Sequence, residues 1–388
     1  MIAKIATNLG VSQGLVSKSH DSLMPALSSH PLPLELIPER IRGIRVTPVS
    51  STASTPVPVQ REAAPKSKPR PRPPLLAGRY SIDRYFDRGG TSKVYLGWDE
   101  LCEEEVVIKI LTDEAARCPV LRGHFLIGSR AALSIQHENV VRTFAVRDPE
   151  PGTPYMVMEL LRGELMADLL FRTPQLPCRT ALSYAAQAAA GLAALHRTGI
   201  VHCDIKPDNL FLTAQHGLAK ELKILDFGLA EVEGQAVVSE KHAVRGTAQF
   251  MAPEQVLGDA VDARTDVYSL GVVMFRMLTG QLPFDLKLSA TLLRHQLSSP
   301  TPPPSWLCDD LDPNVEGIVL KAMRKNPANR YASALELWED LDRVQNGQAP
   351  RTALSTPEAD VYTPQSARAE QAAGMLGVLP FGDREARR

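Results

Sequence analysis

The string HCDIKPDN, His202–Asn209, is followed 17 residues later by the tripeptide Asp226-Phe227-Gly228. Two acids and an amide at this spacing suit the chemistry of a metal-bound nucleotide. One carboxylate can orient a hydroxyl nucleophile, while the other acid and the amide can hold Mg²⁺ through hard oxygen ligands. Lys206, two residues after Asp204, can neutralise charge on a moving phosphoryl group. A second lysine, Lys109, sits between Val107, Ile108, Ile110 and Leu111. An ammonium within an apolar run is costly to bury, so a role for its charge is favoured.

These groups need a frame. Tyr80–Leu111 alternates turn signals with the runs YSIDRYF, KVYLGWD and EEVVIKIL, which predict three strands. Val120–Gln136 has helical spacing, and TFAVR and YMVMEL predict two further strands. From Thr180 onward the long apolar-periodic stretches are helical: ALSYAAQAAAGLAALHRTG, DVYSLGVVMFRMLTG and ASALELWEDLDRVQ. The first two stop at glycine, Gly199 and Gly280, as helices often do. The stripe Ala185, Ala189, Leu192, Leu195 reads as helix core. A strand-rich lobe therefore precedes a helical lobe, and no internal repeat is visible.

The chain has 388 residues, 44% hydrophobic and 22% charged, enough to bury a sizeable core. Its net charge of −1 excludes a polybasic nucleic-acid binder and an acidic disordered chain. No apolar stretch approaches the ~18 residues of a membrane helix. The N-terminus lacks a continuous apolar segment, so no secretory signal is expected. Five scattered cysteines, Cys102, Cys118, Cys178, Cys203 and Cys308, show no metal-ligand spacing and point to a reduced, cytoplasmic compartment. Twelve of the 31 prolines precede Ala77, together with the cluster Ser50–Thr55 and the run PKSKPRPRPP, Pro65–Pro74. Residues 1–78 therefore read as a disordered arm ending in polyproline II, a solvated linker whose Lys66, Lys68, Arg70 and Arg72 could meet an acidic partner. The folded domain is placed at 79–346, with lobes at about 79–159 and 160–346, and a disordered tail at 347–388.

Together the motifs resemble those of eukaryotic-type protein serine/threonine kinases, of the kind bacteria also carry, over roughly Tyr80–Arg343. VVIK ends at Lys109, and VMELLRG, Val157–Gly163, resembles the hinge between lobes. GTAQFMAPE, Gly246–Glu254, DVYSLG, Asp266–Gly271, and NPANRYAS around Arg330 follow in the family's order. The resemblance implies an α+β fold of two lobes, a β-rich N-lobe and a helical C-lobe, with disordered extensions. It implies ATP and Mg²⁺ as cofactors. Asp204 would accept the substrate hydroxyl proton, Asn209 and Asp226 would bind magnesium, and Lys109 would hold the α- and β-phosphates. The backbone of Gly89 and Gly90 would cover the phosphates, with Phe86, Ser92 and Val94 bordering the nucleotide. Met158 would be the gatekeeper, and the backbone of Glu159 and Leu161 would meet the adenine edge. Asp266 would brace the catalytic loop, Arg330 would pair with Glu254, and His202 would be structural. Lys206 and Thr247 mark the serine/threonine branch, and the APE segment separates the chain from small-molecule phosphotransferases. The implied function is an ATP-dependent protein serine/threonine kinase of low or partner-dependent activity. The alternative is a pseudokinase scaffold or nucleotide-binding switch. The implied partners are ATP, protein substrates bearing Ser or Thr, and a soluble regulatory partner, with no nucleic acid and no membrane span.

Four departures from the family pattern stand out. The Gly-rich loop reads Asp87-Arg88-Gly89-Gly90-Thr91-Ser92, placing a carboxylate near phosphate charge. Val107 replaces the usual alanine and is expected to crowd the adenine. No acid occurs from Ala115 to Gln136, and the position expected to supply Lys109 with a glutamate is Gly128. A glutamate there is expected to face Lys109 and raise activity roughly tenfold, about 1.4 kcal/mol of transition-state stabilisation. Finally, Cys203 stands where the family has an arginine that reads a phosphate on the activation segment. Only Ser239 and Thr247 carry hydroxyls between Asp226 and Glu254, so a phosphate switch there is disfavoured. Cys203 reads as a structural thiol ahead of a redox-sensitive one.

Overall fold

The structure, a computed structural model, describes residues 75–88, 90–214, 220–233, 248–284, 290–351, 362–365 and 373. Nearly all of the expected arm, along with Gly89 and Thr247, lies outside the described residues, and so does the side chain of Asp87.

The N-lobe is built on five strands: β1 (Tyr80–Arg88), β2 (Ser92–Asp99), β3 (Glu104–Leu111), β4 (Thr143–Arg147) and β5 (Tyr155–Glu159). They form one antiparallel sheet in the order β1-β2-β3-β5-β4. The expected strands are all present. The centre of β3 is covered on both sides, which is why Val106, Val107 and Ile108 form an unbroken apolar run. Its register places Lys109 opposite Val94 of β2 and Met156 of β5. Between β3 and β4 lie the short helix α1 (Asp113–Arg117) and the longer α2 (Pro119–Ser134), which opens on proline. Phe125, Gly128, Ser129 and Ala132 form the inward stripe of α2 at helical spacing. Residues 75–78, assigned above to the arm, turn back onto the sheet. Leu76 N–H donates to Tyr80 O at 2.8 Å.

The C-lobe begins with β6 (Gly163–Leu165), α3 (Met166–Arg172) and α4 (Cys178–His196). Next come β7 (Ile200–Val201), a 3-10 turn at Pro207–Asn209, β8 (Leu210–Thr213), β9 (Leu222–Ile224) and β10 (Glu231–Val232). Then α5 (Pro253–Leu257), α6 (Ala263–Thr279), α7 (Ala290–Ser298), α8 (Pro313–Ala322) and α9 (Ala334–Gln345) complete the lobe. The small sheets run β6-β8-β9 and β10-β7. Helix α6 is buried along almost its whole length and packs against α4 and α8. Asp262 caps its first turn by accepting from Arg264 N–H at 2.8 Å, and Gly280 ends it at φ 76°. Helix α4 stops at His196, three residues before the expected Gly199, because Arg197 and Thr198 already form the turn.

A buried ion pair ties α5 to the far end of the lobe. Arg330 donates to Glu254 at 2.7 and 2.8 Å, and both side chains are at most 3% exposed. The remaining guanidinium donors meet the carbonyls of Arg324, Arg264 and Lys325, and Thr265 donates to Glu254 Oε1 at 2.8 Å. A fully bonded pair is neutral or modestly favourable, but breaking it strands a charge. Arg330→Met is therefore expected to cost about 3–5 kcal/mol, and adding Glu254→Leu to recover most of it. Denaturant unfolding of the single and double variants checks this. Equal stability of the two would show that the stranded carboxylate is not the cause.

The expectation of a tail without structure fails at residues 362–365 and 373. Tyr362 is buried, and Ala373 joins the same apolar cluster with Leu257 and Leu297. Tyr362 packs there with its hydroxyl on the buried Asp259, a contact that composition alone does not reveal.

Candidate active site

Strand β7 leads into the catalytic stretch, and its approach is braced from beneath. Asp266, on the first turn of α6, accepts from His202 N–H at 2.7 Å, Cys203 N–H at 2.9 Å and His196 Nε2 at 2.8 Å. This fixes Cys203 at φ 63°, a left-handed conformation that non-glycine residues adopt only under constraint. Gln255 closes the bracing by donating to Cys203 O at 2.8 Å. The Cys203 thiol is buried, and burial with the nearby Asp266 pushes its pKa well up, so it is an inert structural group. His202 is fully buried, bonded to Leu225 O at 2.9 Å and set against the Phe227 ring.

With the backbone turned this way, Asp204 meets two partners. Lys206 Nζ lies 2.8 and 2.7 Å from its carboxylate oxygens. Asn209 Nδ2 donates to Asp204 O at 2.7 Å and Oδ2 at 2.9 Å. That orientation leaves Asn209 Oδ1 as the oxygen available to a cation. Burial raises the Asp204 carboxyl, Lys206 opposes it, and Asp226 adds to the rise. Asp204 is thus closer to proton exchange than a solvated aspartate.

Asp226 also sits in the left-handed region, at φ 58°. Its Oδ1 accepts from Gly228 N–H at 3.1 Å and from Lys109 Nζ. Burial alone would raise the Asp226 carboxyl, but the Lys109 ammonium prevails and holds it at about 2. Lys109 thus has a carboxylate, though not one from α2. The expectation that a glutamate at Gly128 would face Lys109 is overturned. A Cβ on Gly128 would lie 1.8 Å from Phe227 O and 2.9 Å from Phe227 C. Helix α2 presses its backbone directly on the chain after Asp226, and glycine is the residue that permits this approach.

Two neighbouring cavities open between the lobes. The outer one, about 410 Å³, is lined by Phe86, Leu96, Leu160, Leu161, Gly163 and Leu212, among others. The inner one is bordered by Val94, Lys109, Met158, Asn209, Asp226 and Phe227, among others. Of the anticipated nucleotide-site residues, Phe86 and Leu161 therefore gather at one cavity and Val94, Lys109, Asn209 and Asp226 at the other. Gly90 is exposed with open space around it. Ser92 is buried opposite Leu111 in the sheet and lines neither cavity. Glu159 N–H donates to Arg142 O at 2.9 Å, and the residue ends β5 opposite Val106 of β3. Its side chain meets Arg142 N–H and Lys223. Val107, expected to crowd the adenine, is fully buried between Leu96 and Met158 and lines neither cavity.

Sequence reasoning missed three contributors: His196 and Gln255, which fix the catalytic backbone, and Glu231. Glu231 is buried in β10, 3.6 Å from His124 of α2, and burial pushes its carboxyl up to about 7. No spacing signal marks these residues, because each acts across the fold.

The protein kinase domain family matches residues 80–340. The chain belongs to the protein kinase family. Its relatives include serine/threonine-protein kinase PknB of Mycobacterium leprae, 34% identical over 310 residues, covering 79% of this chain and 49% of the relative. Serine/threonine-protein kinase Pkn1 of Myxococcus xanthus is 37% identical over 314 residues, covering 78% of this chain and 45% of the relative. The kinase thus spans about half the length of the curated relatives it matches. The crystal structure of the Mycobacterium tuberculosis PknI kinase domain shares its fold, with a TM-score of 0.54 at 22% identity over 69% of this chain and 95% of that one. These relatives place the chain among the bacterial kinases of eukaryotic type. Among the described residues no helix is long and apolar enough to cross a membrane.

Proposed function

We propose that this kinase transfers the γ-phosphate of ATP to Ser or Thr hydroxyls of proteins. The observation that carries the reading is that Lys109, Asn209 and Asp226 line one cavity, with Asp204 joined to Asn209 and Lys206 to Asp204 by hydrogen bonds. Phe86, Leu161 and Leu212, which line the outer cavity, would hold the adenine, with the backbone of Glu159 and Leu161 supplying its hydrogen bonds. Asn209 Oδ1 and the Asp226 carboxylate form a set of hard oxygen donors that suits Mg²⁺. When bound, the ion neutralises charge on the phosphates. Lys109, which lines the inner cavity, would hold the α- and β-phosphates, and the exposed Gly90 backbone would lie over them. The acceptor oxygen forms its bond to the γ-phosphorus as the bond to the bridging oxygen of ADP breaks. Its proton passes to Asp204, and Lys206 offsets the charge of the moving group. Of the two residues that favour a pseudokinase reading, Asp87 and Gly128, Gly128 leaves Lys109 with Asp226 as a partner and so does not argue against turnover.

The deciding experiment is incubation with labelled ATP, Mg²⁺ and a mixed protein acceptor, followed by phosphosite mapping. Label on Ser and Thr is expected. A complete lack of transfer under all metal and acceptor conditions would overturn the reading and favour a scaffold. The five free cysteines support a reduced, cytoplasmic setting, and the protein substrate and a regulatory partner are to be sought there.

Metal binding is tested separately. Mg·ATP at a hundredfold excess over its dissociation constant stabilises a protein by about 2.7 kcal/mol, readable as a rise in melting temperature. Asp226→Ala is expected to lose the Mg²⁺-dependent part of that rise. An unchanged rise would remove Asp226 from the metal site.

A further inference from the structure

Tyr362 lies well past the last helix of the kinase domain, yet its ring is 2% exposed, against Leu257 of α5 and Leu297 of α7. Its backbone N–H donates to Leu297 O at 3.1 Å. Its hydroxyl donates to Asp259 Oδ2 at 2.9 Å, and the same oxygen accepts from Gln365 N–H at 2.9 Å. Asp259 is itself 2% exposed, and its place is set by the C-lobe. Gly258 ends α5 at φ 71°, and Asp259 N–H donates to Glu254 O at 2.9 Å. Burial of the phenol and its bond to Asp259 raise the Tyr362 pKa, which keeps the hydroxyl a donor. Thr363 and Gln365 remain exposed, so among the described residues 362–365 the contacts are the Tyr362 ring and three hydrogen bonds, with Ala373 packed in the same cluster.

The features the cleft selects are those of a short peptide. It takes an aromatic ring with a hydroxyl at its far end, a backbone donor at that residue, and a second donor three residues on. Proline between them favours the bend that returns the chain to the same oxygen. We propose that the cleft between α5 and α7 is a peptide-docking site specific for a Tyr-Thr-Pro-Gln segment, occupied in cis by the kinase's own tail. The site lies on the helix that carries Glu254, at the end of the segment that starts from Asp226. A second protein bearing the same pattern would compete with the tail for it.

The test uses the full chain and a fluorescent peptide with the sequence of residues 358–369, followed by anisotropy. Tyr362→Ala empties the cleft and is expected to bind the peptide at least tenfold more tightly than the unaltered chain. A peptide with phenylalanine in place of the tyrosine is expected to bind about tenfold more weakly, equivalent to about 1.4 kcal/mol. Should Tyr362→Ala fail to fold, Gln365→Pro decides, since it removes the amide donor to Asp259 and fixes φ at an exposed position while leaving the buried ring in place. It is expected to raise peptide binding over the unaltered chain. Equal binding to the unaltered chain and to the folded variant, or no binding to the folded variant, would overturn the proposal.

Discussion

Asp204→Asn is expected to lower phosphoryl transfer by about 10²–10⁴-fold, the usual worth of a positioned proton acceptor, while ATP binding stays near that of the unaltered kinase. The amide has the carboxylate's shape and can still accept from Asn209 Nδ2, which donates to Oδ2 at 2.9 Å. It cannot take the hydroxyl proton, and it removes the negative charge that faces Lys206. The groups proposed to hold nucleotide and metal, Lys109, Asn209 and Asp226, are untouched. Paired assays of turnover and of the Mg·ATP-induced melting shift check this. A variant that transfers phosphate at the original rate would remove Asp204 from the reaction. A variant that loses the melting shift as well would show that Asp204 serves binding.

Gly128→Glu is expected to impair the kinase, contrary to what the missing acid on α2 implies when read alone. The obstacle is the first side-chain atom. A Cβ at 128 would stand 1.8 Å from Phe227 O. Gly128→Ala should therefore show most of the same effect, separating sterics from charge. Overpacking of this kind costs about 1–3 kcal/mol, and more when backbone must move. At roughly 2–4 °C per kcal/mol for a domain of this size, the melting temperature should fall by several degrees. Activity should fall with it, because Phe227 directly follows Asp226 and any retreat of its carbonyl displaces the carboxylate. Thermal unfolding and autokinase assays of both variants check this. Stability and activity equal to those of the unaltered kinase would mean that α2 is free to move away from Phe227.

Much of the site was legible because its chemistry is local. Asp204, Lys206 and Asn209 lie within six residues, and the alternation of YSIDRYF, KVYLGWD and EEVVIKIL reports the sheet directly. The two long helices of the C-lobe were legible from periodicity, with α6 ending at Gly280 as expected. Contacts between distant residues were not legible from spacing. Glu254 and Arg330, 76 residues apart, were paired only through the resemblance. The approach of Gly128 to Phe227 was misread, because the absence of an acid says nothing about how close two backbones lie. The Tyr362 contact was missed because the tail's composition is that of a linker, and composition averages over the one residue that packs.

The contact between Lys109 and Asp226 also separates two kinds of ligand by their dependence on salts. A neutral, flat heterocycle resting on Leu161 and Leu212 in the outer cavity leaves that contact undisturbed. Its affinity should be nearly indifferent to ionic strength and to divalent ions. A triphosphate that took the ammonium would leave the half-buried carboxylate without its partner until a cation arrived. Its affinity should rise steeply with Mg²⁺ concentration. The ratio of the two affinities, followed across a magnesium titration, therefore measures how tightly the lysine and the aspartate hold each other in the resting kinase.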